Sequence, residues 1–162
     1  AAKITLVEYG DLQCPSCQLA QPIVNETLDA RQDVKLIFKH FPIESLHPNA
    51  MSAANAVEAA GKQGKFFEMM DALYLNQKEW EALPNPQSVY EKYAGELKLD
   101  LEKFKKDQQD PALKKKIEAE RDEGISIGVS GTPSFFVNGE KIDNPSSSDA
   151  LIQIIDGVVG KK

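Results

Sequence analysis

Cys14-Pro15-Ser16-Cys17 constrains this chain more than any other stretch. These are the only two cysteines among 162 residues. They follow Lys3–Tyr9, whose β-forming, imperfectly alternating residues predict a strand. They precede Pro15–Arg31, which predicts a helix, with Pro22 removing one backbone donor inside it and kinking it. Val34-Lys35-Leu36-Ile37-Phe38-Lys39 predicts a second strand, ended by His40-Phe41-Pro42. Strand, helix and strand within 40 residues point to a βαβ unit with parallel strands. The cysteine pair then lies at a strand-to-helix junction. There, free backbone N–H groups and the helix dipole favour a thiolate on the first sulfur. The thiolate is the species that attacks disulfides, so the spacing points to thiol–disulfide exchange.

The middle of the chain changes character. No strand is expected from Pro48 to about Gly128. The alanine-rich run Asn49–Gly61 suits a closely packed helix. Lys65–Asn76 places Phe66, Phe67, Met70, Leu73 and Tyr74 at helical spacing. Gln87–Leu97 and Asp100–Gln108 read as shorter helices, the second capped by Asp100. Pro111 opens another helix, expected to run to about Glu123 and close at Gly124. Strand signals return at Ser134-Phe135-Phe136-Val137. Asn138-Gly139 is a hairpin turn and Glu140-Lys141-Ile142 the return strand. A last helix carries Leu151, Ile152, Ile154, Ile155, Val158 and Val159. The layout is βαβ, a helical block of about 80 residues, then ββα.

Composition narrows the function classes. A chain with 41% hydrophobic and 27% charged residues can bury an ordinary core. A net charge of -6, a pI near 5.0 and no basic patch with interleaved aromatics argue against nucleic acid. Lys114-Lys115-Lys116 is balanced by nearby acids. Apolar runs reach about half of the ~20 residues that a membrane-spanning helix needs. The cysteine count does not decide the compartment, and a leader or anchor is expected to lie outside this sequence. A zinc site would need two further ligands, and the spacing of His40 and His47 fits no finger template. A purely structural disulfide is the remaining alternative, although so small a loop constrains little chain entropy.

Three segments in order, Glu8-Tyr9-Gly10-Asp11-Leu12-Gln13-Cys14-Pro15-Ser16-Cys17, Phe38-Lys39-His40-Phe41-Pro42 and Gly131-Thr132-Pro133-Ser134-Phe135-Phe136-Val137-Asn138-Gly139, resemble the DsbA-like branch of the thioredoxin-fold superfamily. The resemblance covers nearly the whole chain. It implies an α/β thioredoxin fold with a mixed central sheet, formed by residues 1–44 and 128–162, and an inserted α-helical domain over 45–127. It implies a protein disulfide oxidoreductase with Cys14 as nucleophile and Cys17 as resolving partner. Pro15 and Ser16 would complete the active-site motif. Pro133 would be the cis-proline facing the cysteines, with the Thr132 backbone offered to an extended substrate. Glu8 would be a partly buried acid relaying protons to or from Cys17, with Lys39 as its partner. No external cofactor is implied beyond a redox-active Cys14–Cys17 disulfide. The implied partners are unfolded or partly folded protein thiols and a membrane quinone-linked or thiol redox partner. The implied setting is extracytoplasmic in a bacterium, as a monomer.

Two positions depart from that pattern. Many DsbA-like oxidants carry His where this chain has Ser16, and threonine before the proline belongs to other branches. Losing the imidazolium should make the disulfide less oxidising. A reductase or isomerase of the same fold, or a redox-inactive peptide-binding module, are the rival readings. His40 is expected to cap backbone groups. The Phe66-Phe67 and Phe135-Phe136 pairs are expected in the core, and Lys98–Glu123 as a solvated helical face.

Overall fold

The computed structural model describes residues 2–160. Strand β1 (Ile4–Gly10), helix α1 (Pro15–Ala30) and strand β2 (Val34–His40) form the first unit. Six helices follow: α2 (Ala50–Gly61), α3 (Phe66–Leu75), α4 (Gln77–Trp80), α5 (Gln87–Glu96), α6 (Leu101–Gln108) and α7 (Pro111–Ser126). Strands β3 (Ser134–Val137) and β4 (Glu140–Ile142) and helix α8 (Ser148–Val159) complete the chain. The strands form one sheet in the order β2-β1-β3-β4, with β1 and β2 parallel and the other pairs antiparallel. This is the expected α/β thioredoxin fold with its helical block between β2 and β3.

Local chemistry explains several element ends. Asp100 accepts from the Lys103 backbone N–H at 3.1 Å, and Ser147 from that of Ala150 at 3.0 Å; both are side-chain N-caps. Asn138 and Gly139 both have positive φ, 48° and 86°, as a tight hairpin turn requires. Helix α1 continues through Pro22. Two expectations fail. Gly124 does not close α7, which runs on to Ser126. A Cβ at Gly124 would lie 3.0 Å from the Tyr9 and Phe41 rings. This glycine therefore serves close helix-to-sheet approach instead of helix termination. Phe66 packs inward, whereas Phe67 stands 43% exposed.

The sheet has two differently covered faces. Ile4, Leu6, Val34, Phe135 and Val137 pack against Ala20 and Val24 of α1 and Leu151 and Ile155 of α8. Tyr9, Phe41 and Phe136 face the other way, toward α7. A third core is built by α2–α7, and Cys14, Cys17 and Phe38 belong to it. The cysteines are thus packed by the helical block as well as by Leu12 and by Phe38 of β2.

A cysteine pair at the head of α1

Cys14 is the N-cap of α1, with extended backbone (φ −72°, ψ 125°), and Pro15 occupies the first turn where a missing N–H costs nothing. The loop leading to it is fixed from the helical block. Asp11 accepts from the Ile43 N–H at 2.9 Å and meets His47 Nδ1 at 2.8 Å. Gln13 accepts from Asn49 N–H at 2.8 Å and donates to the Glu81 carbonyl at 3.0 Å. Gln77 of α4 donates to the Leu12 carbonyl at 2.9 Å and the Cys14 carbonyl at 3.3 Å. None of these holding residues carries a local sequence signal. Their partners lie 32 to 68 residues away.

The two sulfurs are unbridged in this structure and have opposite acidities. Cys14 is lowered to about 5, first by the hydrogen bond that Cys17 gives it. Burial works against this. The backbone N–H groups of Cys17 and Ser16 reinforce it. The neighbouring thiol therefore contributes more than the helix end emphasised by sequence reasoning. Cys17 is fully buried and raised well above its ordinary value by burial, by that same hydrogen bond, and by the charges of Cys14 and Glu8.

Thr132 and Pro133 stand opposite. Their peptide bond is cis, and the Thr132 carbonyl lies 3.6 Å from the Cys14 sulfur. The Thr132 hydroxyl is buried without a hydrogen-bond partner. Pro15 and Ser16 are exposed at the top of α1.

Glu8 is wholly buried, deeper than expected, and neither carboxyl oxygen has a hydrogen-bond partner. Burial, with a smaller contribution from the Cys14 charge, raises it to about 8. Lys39 is not its partner. Glu8 pairs across the sheet with Phe38, while Lys39 is opposite Tyr9 on the other face and reaches Glu123 at 3.5 Å. The one-residue offset decides this, because neighbouring strand residues face opposite ways. Gly10 shares the Glu8 site: a Cβ there would lie 2.5 Å from the Phe38 ring and 3.4 Å from Glu8 Oε2.

Tyr74 is a site residue that sequence reasoning assigned only to a helix face. Its hydroxyl is buried and unpartnered, and burial raises it, with the charges of Cys17 and Glu8 adding. His40 does not cap backbone groups. Its Nε2 lies 3.0 Å from Glu58 Oε2, in a buried pair that Lys116 joins at 2.7 Å. Among the described residues, no group of three or more His, Cys, Asp or Glu side chains is placed to hold a metal. No helix among them is long and apolar enough to cross a membrane.

Comparison with known proteins agrees with this geometry. A thioredoxin-like oxidoreductase from Silicibacter pomeroyi DSS-3 superposes with a TM-score of 0.82 at 27% identity, covering 98% of this chain and 88% of that one. BdbD from Bacillus subtilis superposes with a TM-score of 0.84 at 23% identity, covering 98% and 89%. Wolbachia pipientis α-DsbA1 does so with 0.82 at 23%, covering 99% and 87%. Among curated proteins, the chain is 39% identical over 150 residues to the Na(+)/H(+) antiporter NhaA 3 of Salinispora tropica, covering 93% of this chain and 22% of that protein. It is 34% identical over 158 residues to NhaA 1 of Mycobacterium sp. strain KMS, covering 96% and 25%. The chain therefore spans about a quarter or less of the curated relatives it matches. The family model described as Thioredoxin matches residues 1–157. With a cysteine pair split in acidity at the head of α1, on the fold of the DsbA-like thiol:disulfide oxidoreductases, the chain belongs to the thioredoxin family.

Proposed function

We propose that the protein exchanges a Cys14–Cys17 disulfide with the thiols of polypeptide substrates, acting chiefly as a dithiol oxidase. The observation that carries this reading is the asymmetry between the two sulfurs: one capping a helix and favoured as thiolate, the other buried and held as thiol. A substrate thiolate attacks the Cys14 sulfur and breaks the Cys14–Cys17 bond, leaving its electron pair on Cys17. Cys17 then takes up a proton, and Glu8, raised into the neutral range, is the acid placed to supply it. A second substrate thiolate attacks the substrate sulfur of the mixed disulfide and expels Cys14. Its low pKa makes Cys14 a good leaving group. Two electrons pass from the substrate dithiol to the enzyme, and no further cofactor is required.

The Thr132 backbone supports the substrate role, since an extended segment can add to it by β-pairing. We assign the protein to an extracytoplasmic bacterial setting, where such substrates acquire disulfides and a thiol or quinone-linked partner reoxidises the enzyme. We take residues 45–127 as the inserted unit of a monomer. One observation favours the reverse direction: Ser16 places no cation beside Cys14. Equilibration in glutathione buffers decides between the two. A potential above about −180 mV supports the oxidase, and one near about −270 mV makes the protein a reductase. An insulin turbidity assay with no activity in either direction would leave a peptide-binding module.

A further inference from the structure

A groove of about 590 Å³ runs between α1 and α3, on the side of α1 away from Pro133. Its apolar walls are Leu19, Pro22, Tyr74 and Leu75. Leu19 is 73% exposed and Leu75 82%, and exposed leucines clustered on a concave surface mark an interaction site more often than isolated ones do. Leu19 lies two residues after Cys17 and also lines the depression beside Ser16 and Pro133, so the two depressions meet at α1. Gln18 fixes the floor by donating to the Tyr74 carbonyl at 2.7 Å.

The charged residues lining this groove are Glu26, Asp29 and Asp71, and no basic residue lines it. Asp71 accepts from Gln21 and Asn25 and is held in place. Glu26 and Asp29 are exposed, and among the described residues neither forms an ion pair. Apolar walls under an acidic rim complement a segment carrying a large apolar side chain next to Lys or Arg.

We infer that this groove is a substrate subsite that seats the stretch of polypeptide flanking the reactive cysteine and selects apolar–basic sequence there. The inference rests on the exchange reading. Leu19 is common to the depression beside Ser16 and Pro133 and to the α1–α3 groove, so a chain held at Thr132 that continues across Leu19 enters that groove. The acidic rim then acts mainly on encounter and orientation, as exposed charges do.

Three short dicysteine peptides test it, identical except for Leu-Lys, Leu-Glu or Ser-Ser beside the cysteines. Each is oxidised by the disulfide form of the enzyme at low and high salt. The Leu-Lys peptide should react about tenfold faster than Leu-Glu at low salt, with the difference shrinking as salt screens the rim. Glu26→Lys with Asp29→Lys should invert that preference. Glu96→Lys with Asp122→Lys, exposed on α5 and α7, changes net charge equally and should preserve it. Leu75→Ser should slow both leucine peptides and leave Ser-Ser unchanged. Equal rates for Leu-Lys and Leu-Glu, or inversion by the α5/α7 variant as well, would overturn the inference while oxidation of Ser-Ser leaves the exchange reading intact. If none of the peptides is oxidised, the exchange reading falls and takes this inference with it.

Discussion

Two buried carboxylates, Glu8 and Glu58, lie near the same end of the sheet and behave in opposite ways. Glu58 is opposed by burial, but His40 and Lys116 outweigh it and hold the carboxyl below its ordinary value. Glu8 is more deeply hidden and has no partner, so burial wins and the proton stays to about pH 8. Burial opposes ionisation at both sites, and the presence of His40 and Lys116 reverses the sign at Glu58. A satisfied buried carboxylate is a structural charge; an unsatisfied one next to a cysteine pair has the raised pKa that the proton-carrier role proposed for Glu8 requires. Gly10 adds to the contrast, since a Cβ there would collide with the Phe38 ring that packs near the Glu8 carboxyl.

The contrast breaks most visibly at Glu58. Glu58→Ala leaves His40 and Lys116 without their shared acceptor and should cost about 3 kcal/mol of stability by urea denaturation at neutral pH. Cys14 titration should not move. In the wild type the folded pKa of Glu58 is depressed. Its stabilisation is therefore present above the ordinary value of 4.5 and is lost as pH falls through the lower folded value. An unchanged urea midpoint in the variant would mean that Glu58 is no better satisfied than Glu8.

Glu8→Gln should act in the other direction. The folded pKa of Glu8 is raised, so the unfolded chain loses its proton first, and stability of the reduced enzyme falls as pH rises from 4.5 to about 8. Each pH unit in that window is worth about 1.4 kcal/mol for one proton. The variant should be more stable than wild type by an amount that grows with pH, to the order of 5 kcal/mol near pH 8. Exchange rates should lose any inflection near pH 8. Parallel stability–pH curves for the two proteins would remove Glu8 from the proton path.

The smallest effect is expected at Ser16. Ser16→His sets an imidazolium over Cys14, favouring its thiolate and the reduced form. Because the position is exposed, the potential should rise by no more than about 30 mV, which is about 1.4 kcal/mol for two electrons. Glu8 feels the Cys14 charge and Glu58 does not, so any secondary shift should appear only at Glu8. A fall in potential would show that a cation here does not act through Cys14.

The frame of this molecule was legible because its signals are local. Asp100 and Asn138-Gly139 announce themselves within a few residues, and the cysteine pair marks the head of α1. What escaped depends on distant partners. Proximity of the strands suggests Lys39 as the partner of Glu8, whereas the pleat turns it to Glu123. Gly124 has the sequence look of a helix stop but is demanded by rings from β1 and the segment after β2. Helix α4 is only four residues long and carries no periodicity. Its position is set instead by Trp80, which donates to the Leu73 carbonyl at 2.9 Å, and by Asn49, which donates to the carbonyls of Trp80, Glu81 and Leu83. The Glu58–His40 pair spans two elements and has no motif.

The loop before Cys14 hangs on Gln77, Asn49, Glu81 and Ile43, all outside the first βαβ unit. Loop and helical block therefore open together or not at all. In native-state hydrogen exchange, the amides of Gln13 and Cys14, which donate to Asp11, should share their opening free energy with α4 and the start of α2, forming one cooperative unit. The redox centre would then be among the slowly exchanging parts of the protein despite sitting in a loop.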